Sequence, residues 1–171
     1  MISFETKYRV CYGDTDQMGV MYYGNYPRLY EIGRTDLIRS FWKSYRQVEE
    51  EGIILPVRSM HANYYKPAYY DELITIKTTI KDIPQVKFKI ISQIYNESGE
   101  LINEGEVVLG FMDKATGKPR RAPDDFVAVL RKYISWISLY AFSLHVTKQD
   151  DGNYNDSNTD NFIGPSQSVD S

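Results

Sequence analysis

The sequence is poor in the residues that build most metal and thiol sites. It holds one cysteine, Cys11, and two histidines in 171 residues. A single thiol excludes an internal disulfide and fits a reducing, cytoplasmic setting. Its place in a strand-like stretch predicts a small buried residue rather than a nucleophile. With no His-x-x-x-His pattern and one cysteine, no metal site is legible, and no cofactor is expected. Gly-x-Ser-x-Gly is also missing, which disfavours a serine-hydrolase route. No run approaches the ~20 apolar residues that a membrane-spanning helix needs. The first residues, Met1 to Lys7, have neither the basic start nor the apolar stretch of a secretory signal. Positive charge is scarce as well: the net charge is -3, which argues against a general nucleic-acid binder.

What is present reads as one folded domain with an appendage. Apolar residues make up 42% and charged residues 25%, the balance of a soluble globular chain able to bury a core. Residues 1–133 carry the patterned segments. Residues 134–148 form an apolar, aromatic extension with Trp136, Leu139, Tyr140 and Phe142. Residues 149–171 are polar, with Asp150, Asp151, Asp156, Asp160 and Asp170, and are expected to be disordered. Because so much acid sits in this tail, the body is close to neutral and can hold a local basic patch for an anionic ligand.

Periodicity sets out the elements. Ile2 to Tyr12 predicts a strand with Phe4, Val10 and Tyr12 on one face. Gly13-Asp14-Thr15-Asp16 breaks it with turn-forming residues. Tyr26, Leu29, Tyr30, Gly33, Leu37 and Phe41 then follow helical spacing, with Asn25 as the N-cap and Pro27 tolerated in the first turn. Gly33 in mid-helix costs roughly 1 kcal/mol against Ala, so a close packing partner is expected there. Strands follow at 53–65, 73–81, 86–95 and 101–112, and a short amphipathic helix at 124–133. A strand, a long helix and a four-strand meander make an α+β layout with one sheet folded over the helix.

The segment Tyr12-Gly13-Asp14-Thr15-Asp16-Gln17-Met18-Gly19-Val20-Met21-Tyr22-Tyr23-Gly24-Asn25-Tyr26 resembles the signature of the 4-hydroxybenzoyl-CoA thioesterase and YbgC-like family, as does the helix Leu29-Tyr30-Glu31-x-x-Arg34-Thr35. The resemblance extends by element order over about residues 4 to 133. It implies a hotdog fold, in which an antiparallel sheet wraps a long central helix, and hydrolysis of an acyl-CoA thioester. It also implies a homodimer or homotetramer with the active site at the subunit interface.

Thioester hydrolysis needs a carboxylate that attacks the carbonyl or activates water, and donors for the developing oxyanion. The resemblance places Asp16 at the chemistry and the backbone N–H of Tyr23 on the carbonyl. Gly19 and Gly24 would let the backbone approach a ligand. Val20, Tyr22 and Asn25 complete the substrate-binding set in this segment, and Asp14 is expected to support the loop. In the family, basic strand and loop residues meet the CoA phosphates, which nominates Lys87 and Arg120. Pro84-Gln85-Val86-Lys87 stands where the hydroxybenzoyl-CoA enzyme has an Arg-Arg-Lys cluster, so the grip on CoA is expected to differ. Glu31 is the rival carboxylate, since another hotdog branch uses an acid on the central helix. An acyl-carrier-protein thioester as substrate, and a non-catalytic acyl-CoA-binding module, are the alternative functions. His61 reads as a packed or partly exposed strand residue.

Overall fold

The computed structural model describes residues 1–134. The expectations for the aromatic extension beyond that point and for the acidic tail lie outside the described residues. Strand β1 (Ile2–Arg9) leads through a loop with two 3-10 turns (Tyr12–Asp14 and Tyr23–Asn25) into helix α1 (Tyr26–Phe41). A short helix α2 (Tyr45–Glu50) and strands β2 (Ile53–Ile54), β3 (Val57–Tyr64), β4 (Leu73–Ile80), β5 (Lys87–Tyr95), β6 (Leu101–Gly110) and β7 (Met112–Asp113) follow. The described part closes with helix α3 over 124–134.

The main sheet is antiparallel with strand order β1-β4-β5-β6-β3, and β2 pairs separately with β7. This corrects the four-strand meander read from the sequence. Only β4, β5 and β6 run as a meander, and β3 crosses to the far edge beside β6. Pro56 also divides the expected 53–65 strand in two, since proline cannot donate to a ladder.

Helix α1 lies against β1, β4, β5 and β6, burying Tyr26, Leu29, Tyr30, Gly33, Leu37 and Ile38. The facing strands supply Ile74, Ile76, Thr78 and Ile80 from β4, Phe88, Ile90 and Ile94 from β5, and Val107 and Leu109 from β6. Gly33 has the predicted close partner. A Cβ there would lie 2.8 Å from Ile76 Cγ2 and closer still to Thr78 Oγ1. Gly105 on β6 does the same for the Tyr30 ring, which lies over it; a Cβ there would come within 2.7 Å of Tyr30 Cε1. The sheet and helix therefore approach at backbone distance in two places, both made by glycine.

Two further expectations are corrected. The strand ends at Arg9, and Tyr12 sits in a 3-10 turn with 80% of its surface exposed, while Phe4 is 38% exposed. Of the expected face only Val10 is buried, together with Ile2. Cys11, expected to be buried, is exposed because the chain has already left the sheet when it reaches that residue.

Candidate active site

The loop between β1 and α1 is organised by Asp14. Its side chain is only 10% exposed and accepts hydrogen bonds from the Tyr8 hydroxyl (2.7 Å) and the Cys11 N–H (2.8 Å). Arg28, in the first turn of α1, reaches the same carboxylate at 3.5 Å and donates to the Tyr8 hydroxyl at 3.1 Å. Burial, followed by the bond to Asp14, raises the Tyr8 pKa, so its hydroxyl remains a proton donor to the acid. The Asp14 carbonyl accepts from the Tyr22 N–H and from the Asn25 side-chain amide, both at 2.9 Å. One residue thus ties β1, the loop and the start of the helix together.

That arrangement changes the role of Asn25. It holds the N-cap position, but its φ of -85° and ψ of -19° are already helical, and its side chain caps nothing. The 3-10 turn runs straight into α1, which leaves the amide free to hold the loop.

Asp16 has different surroundings. Thr15 and Met21 pair as a small antiparallel bridge, closed by bonds from the Asp16 N–H to the Val20 carbonyl (3.0 Å) and from the Gly19 N–H to the Asp16 carbonyl (2.9 Å). Gly19 has φ +75°, the left-handed conformation this turn requires. The Asp16 carboxylate is half-buried and accepts from the Met18 N–H at 2.8 Å through Oδ1. The turn is anchored below by Met21, which donates to the Ala68 carbonyl at 2.8 Å, and by a bridge between Val20 and Tyr69. The β3–β4 connection therefore forms the floor of the loop.

Next to this turn stands a set of backbone donors. The N–H groups of Tyr23 and Gly24 open the 3-10 turn and have no acceptor among the described residues, as expected at the start of a helix. Because α1 continues the turn, the positive end of its dipole lies at the same place. Asn25 donates to the Tyr22 carbonyl at 2.9 Å, which fixes the peptide that carries the Tyr23 N–H. A cradle of exposed aromatic rings surrounds the turn, with Tyr22 against Tyr23 (4.6 Å between ring centroids) and Tyr64 edge-on to Tyr23 and Tyr26. The Tyr22 pKa is raised, chiefly by the neighbouring Tyr23 hydroxyl and to a lesser degree by the negative charge of Asp16. Gly24 gives room for the Tyr22 ring: a Cβ there would meet its Cδ1 at 3.1 Å.

Asp16, Gly19, Val20, Tyr22, Tyr23, Gly24 and Asn25 thus share one loop. Lys87 and Arg120 do not join them within one chain. Lys87 pairs with Gly110 at the Val57 end of the sheet, whereas the loop follows Arg9, which pairs with Leu73, and faces Tyr64. Eight-residue strands put these ends about 25 Å apart. Arg120 lies beside Phe111, whose carbonyl accepts its N–H. Glu31 is exposed on α1 and pairs with Arg34 at 3.7 Å, and His61 is exposed on β3, 3.2 Å from Asn63 Oδ1. Among the described residues no group of three or more His, Cys, Asp or Glu side chains could hold a metal ion. No described helix is long and apolar enough to cross a membrane.

Sequence reasoning missed Tyr8, Arg28, Tyr64 and Ala68. Arg28 had a readable signal, a cation in the first helical turn, where the dipole disfavours it unless an acid is near. Tyr64 and Ala68 come from a strand and a connection distant in sequence, whereas Tyr8 lies only six residues before Asp14 on β1.

Comparison with known proteins agrees with this architecture. The family model described as the thioesterase-like superfamily matches residues 10–130. The acyl-CoA thioester hydrolase YbgC of Escherichia coli O6:H1 is 33% identical over 129 residues, covering 75% of this chain and 96% of its own. A putative acyl-CoA thioesterase, YneP of Bacillus subtilis, is 36% identical over 110 residues, 64% of this chain and 80% of that protein. The crystal structure of a DHNA-CoA thioesterase from Staphylococcus aureus superposes with a TM-score of 0.68 at 31% identity, covering 88% of this chain and 96% of that one. Helix, sheet order and loop sequence converge: the chain belongs to the thioesterase-like superfamily of hotdog-fold proteins.

Proposed function

We propose that the protein is an acyl-CoA thioesterase that converts an acyl-CoA and water to a free carboxylic acid and CoA, with Asp16 as the catalytic carboxylate. The observation that carries this reading is the pairing of the half-buried Asp16 with a turn whose first two N–H groups have no acceptor among the described residues. Names of the relatives support the substrate class.

The thioester carbonyl oxygen would be held by the Tyr23 N–H, helped by the dipole of α1, so that negative charge developing on it is stabilised. Asp16 then acts in one of two ways. As nucleophile it forms a mixed anhydride, expels the CoA thiolate, and the anhydride is hydrolysed. As general base it takes a proton from water while water attacks the carbonyl. In both, the thiolate leaves and takes up a proton as CoA.

A second subunit resolves the distance to Lys87 and Arg120. Among the described residues β3 is an edge strand, and Val57, Met60 and Tyr64 are exposed along it. Antiparallel pairing of two such edges would bring the Val57 end of one subunit to the Tyr64 end of the other. The basic residues of one subunit would then serve the Asp16 loop of its partner, as anchors for the CoA phosphates.

The test is Asp16→Asn assayed on a panel of short, long and aromatic acyl-CoA esters. Folded protein that retains near wild-type turnover would sink the assignment. The same panel offered as acyl-carrier-protein thioesters decides the carrier, and tight binding without turnover on either would make the protein a binding module.

A further inference from the structure

The unpaired N–H groups at Tyr23 and Gly24 are useful only if the turn that carries them is held still. α1 holds one side of it. The other side is exposed, and a side chain from the sheet edge reaches it. Tyr64, the last residue of β3, donates its hydroxyl to the Tyr23 carbonyl at 3.3 Å. Its ring stands edge-to-face against Tyr23, at 6.4 Å between centroids and 88°, and against Tyr26, at 5.3 Å and 88°. The Tyr23 carbonyl belongs to the same peptide plane as the Gly24 N–H. A trans peptide points these two groups in opposite directions, so a grip on the carbonyl aims the N–H.

Tyr64 is itself held from below. It lies opposite Asn103 in the β3–β6 register. The fully buried Asn103 donates to the Asn63 carbonyl at 2.9 Å, in the peptide that leads into Tyr64, and accepts a short hydrogen bond from the Tyr30 hydroxyl. A continuous set of contacts therefore runs from the middle of α1 through β6 and β3 and back to the first turn before the helix. Within one chain Tyr64 is 49% exposed, and its ring meets the turn and the first residue of α1.

We propose that Tyr64 is a positioning residue that fixes the Tyr23–Asn25 turn, so that its backbone donors meet the thioester carbonyl in the transition state. The proposal rests on the thioesterase reading. Loss of the grip lowers kcat and leaves KM for the acyl-CoA nearly unchanged, because the donors matter most when charge develops on the oxygen.

Three forms are compared: wild type, Tyr64→Phe, which keeps the ring contacts, and Tyr64→Ala, which removes both. The expected result is a kcat lower by about 10- to 100-fold in Tyr64→Ala, the range associated with a small misplacement of catalytic groups. In Tyr64→Phe the expected loss is several-fold at most, since the ring remains. Faster amide hydrogen exchange at Asn25 and Tyr26, whose N–H groups close the turn on the Tyr22 and Tyr23 carbonyls, in Tyr64→Ala, with the rest of α1 unchanged, is the second readout. A rise in KM with kcat intact would overturn the proposal, as Tyr64 would then contact substrate. Wild-type kcat in both variants would also overturn it, as would a loss of kcat that only tracks a lower melting temperature. If wild type hydrolyses no thioester at all, the functional reading fails first, and unchanged exchange at Asn25 and Tyr26 in Tyr64→Ala then overturns the positioning role by itself.

Discussion

The Tyr8 hydroxyl donates to the Asp14 carboxylate at 2.7 Å, and this bond ties the end of β1 to the loop that carries Asp16. Asp14 and Asp16 are two residues apart and chemically identical, yet their environments divide the work between them. Asp14 is nearly buried and committed to Tyr8, Cys11 and Arg28, while the Asp16 carboxylate has one backbone donor, from Met18. Substitution should separate stability from catalysis. Asp14→Ala leaves the part-buried Tyr8 hydroxyl and the Cys11 N–H without their acceptor, and is expected to cost about 1–3 kcal/mol of stability. Asp16→Asn is expected to change stability by less than about 1 kcal/mol and to reduce kcat by at least about 100-fold. Denaturant unfolding and steady-state kinetics on both proteins check the pair; equal loss of stability in the two would contradict the division.

Gly33 offers a test of the helix–sheet contact. In an exposed helix, Gly→Ala gains roughly 1 kcal/mol from propensity. Here the new methyl would fall 2.8 Å from Ile76 Cγ2 and against Thr78 Oγ1, both on fully buried residues of β4 with little room to move. Overpacking of this kind costs about 1–3 kcal/mol. Gly33→Ala is therefore expected to destabilise the protein despite its better helix propensity. A higher midpoint in a urea titration would show that α1 does not sit this close to the sheet.

Much of this architecture was legible because it is local. The helix followed from apolar spacing between Tyr26 and Phe41, and the break after β1 from the turn residues Gly13-Asp14-Thr15-Asp16, while Asp16 itself was nominated by the resemblance of its segment. The alternation in β4 and β5 gave their inward faces correctly. The place of β3 was not legible, since nothing within residues 57–64 says whether that strand pairs with β4 or crosses to β6. Tyr64 was missed for the same reason: its partners, Tyr23 and Tyr26, lie about forty residues away. Helix α2 did carry a local sign, the Ser44–Gln47 capping box, with Ser44 accepting from the Gln47 N–H at 3.4 Å. Cys11 was misplaced because the strand stops at Arg9, three residues earlier than its apolar pattern suggests.

Two buried tyrosines make the fold sensitive to alkali. Burial, with smaller effects from Tyr64 and Glu72, pushes the Tyr26 pKa up from 10.0 to about 12. Burial also raises the Tyr30 pKa, although its bond to Asn103 opposes this. In the unfolded chain both would ionise near pH 10, so above that pH the unfolded state holds fewer protons than the folded one. By linkage, stability is unaffected by these groups below about pH 10 and falls as pH rises towards 12 and beyond, by up to about 1.4 kcal/mol per pH unit for each group. Urea midpoints measured between pH 8 and 11.5 check this. Tyr30→Phe should flatten the slope, while leaving Asn103 without its donor and lowering stability at pH 8 by about 1–3 kcal/mol.

The separation of Lys87 and Arg120 from Asp16 within one chain leads to a prediction about subunit exchange. If these cations serve the partner's site, Lys87→Glu/Arg120→Glu subunits should turn over substrate normally at saturation but with a raised KM for acyl-CoA. The defect should vanish with a thioester of the short pantetheine-like thiol N-acetylcysteamine, which lacks the nucleotide phosphates. Asp16→Asn subunits should be inactive on both substrates. Refolding the two variants together creates mixed dimers in which one site combines an intact Asp16 with intact cations from the other subunit. Activity at low acyl-CoA concentration should then exceed that of either variant alone. Recovery is impossible if each subunit uses its own Lys87 and Arg120, because every site in the mixture would then carry one of the two defects.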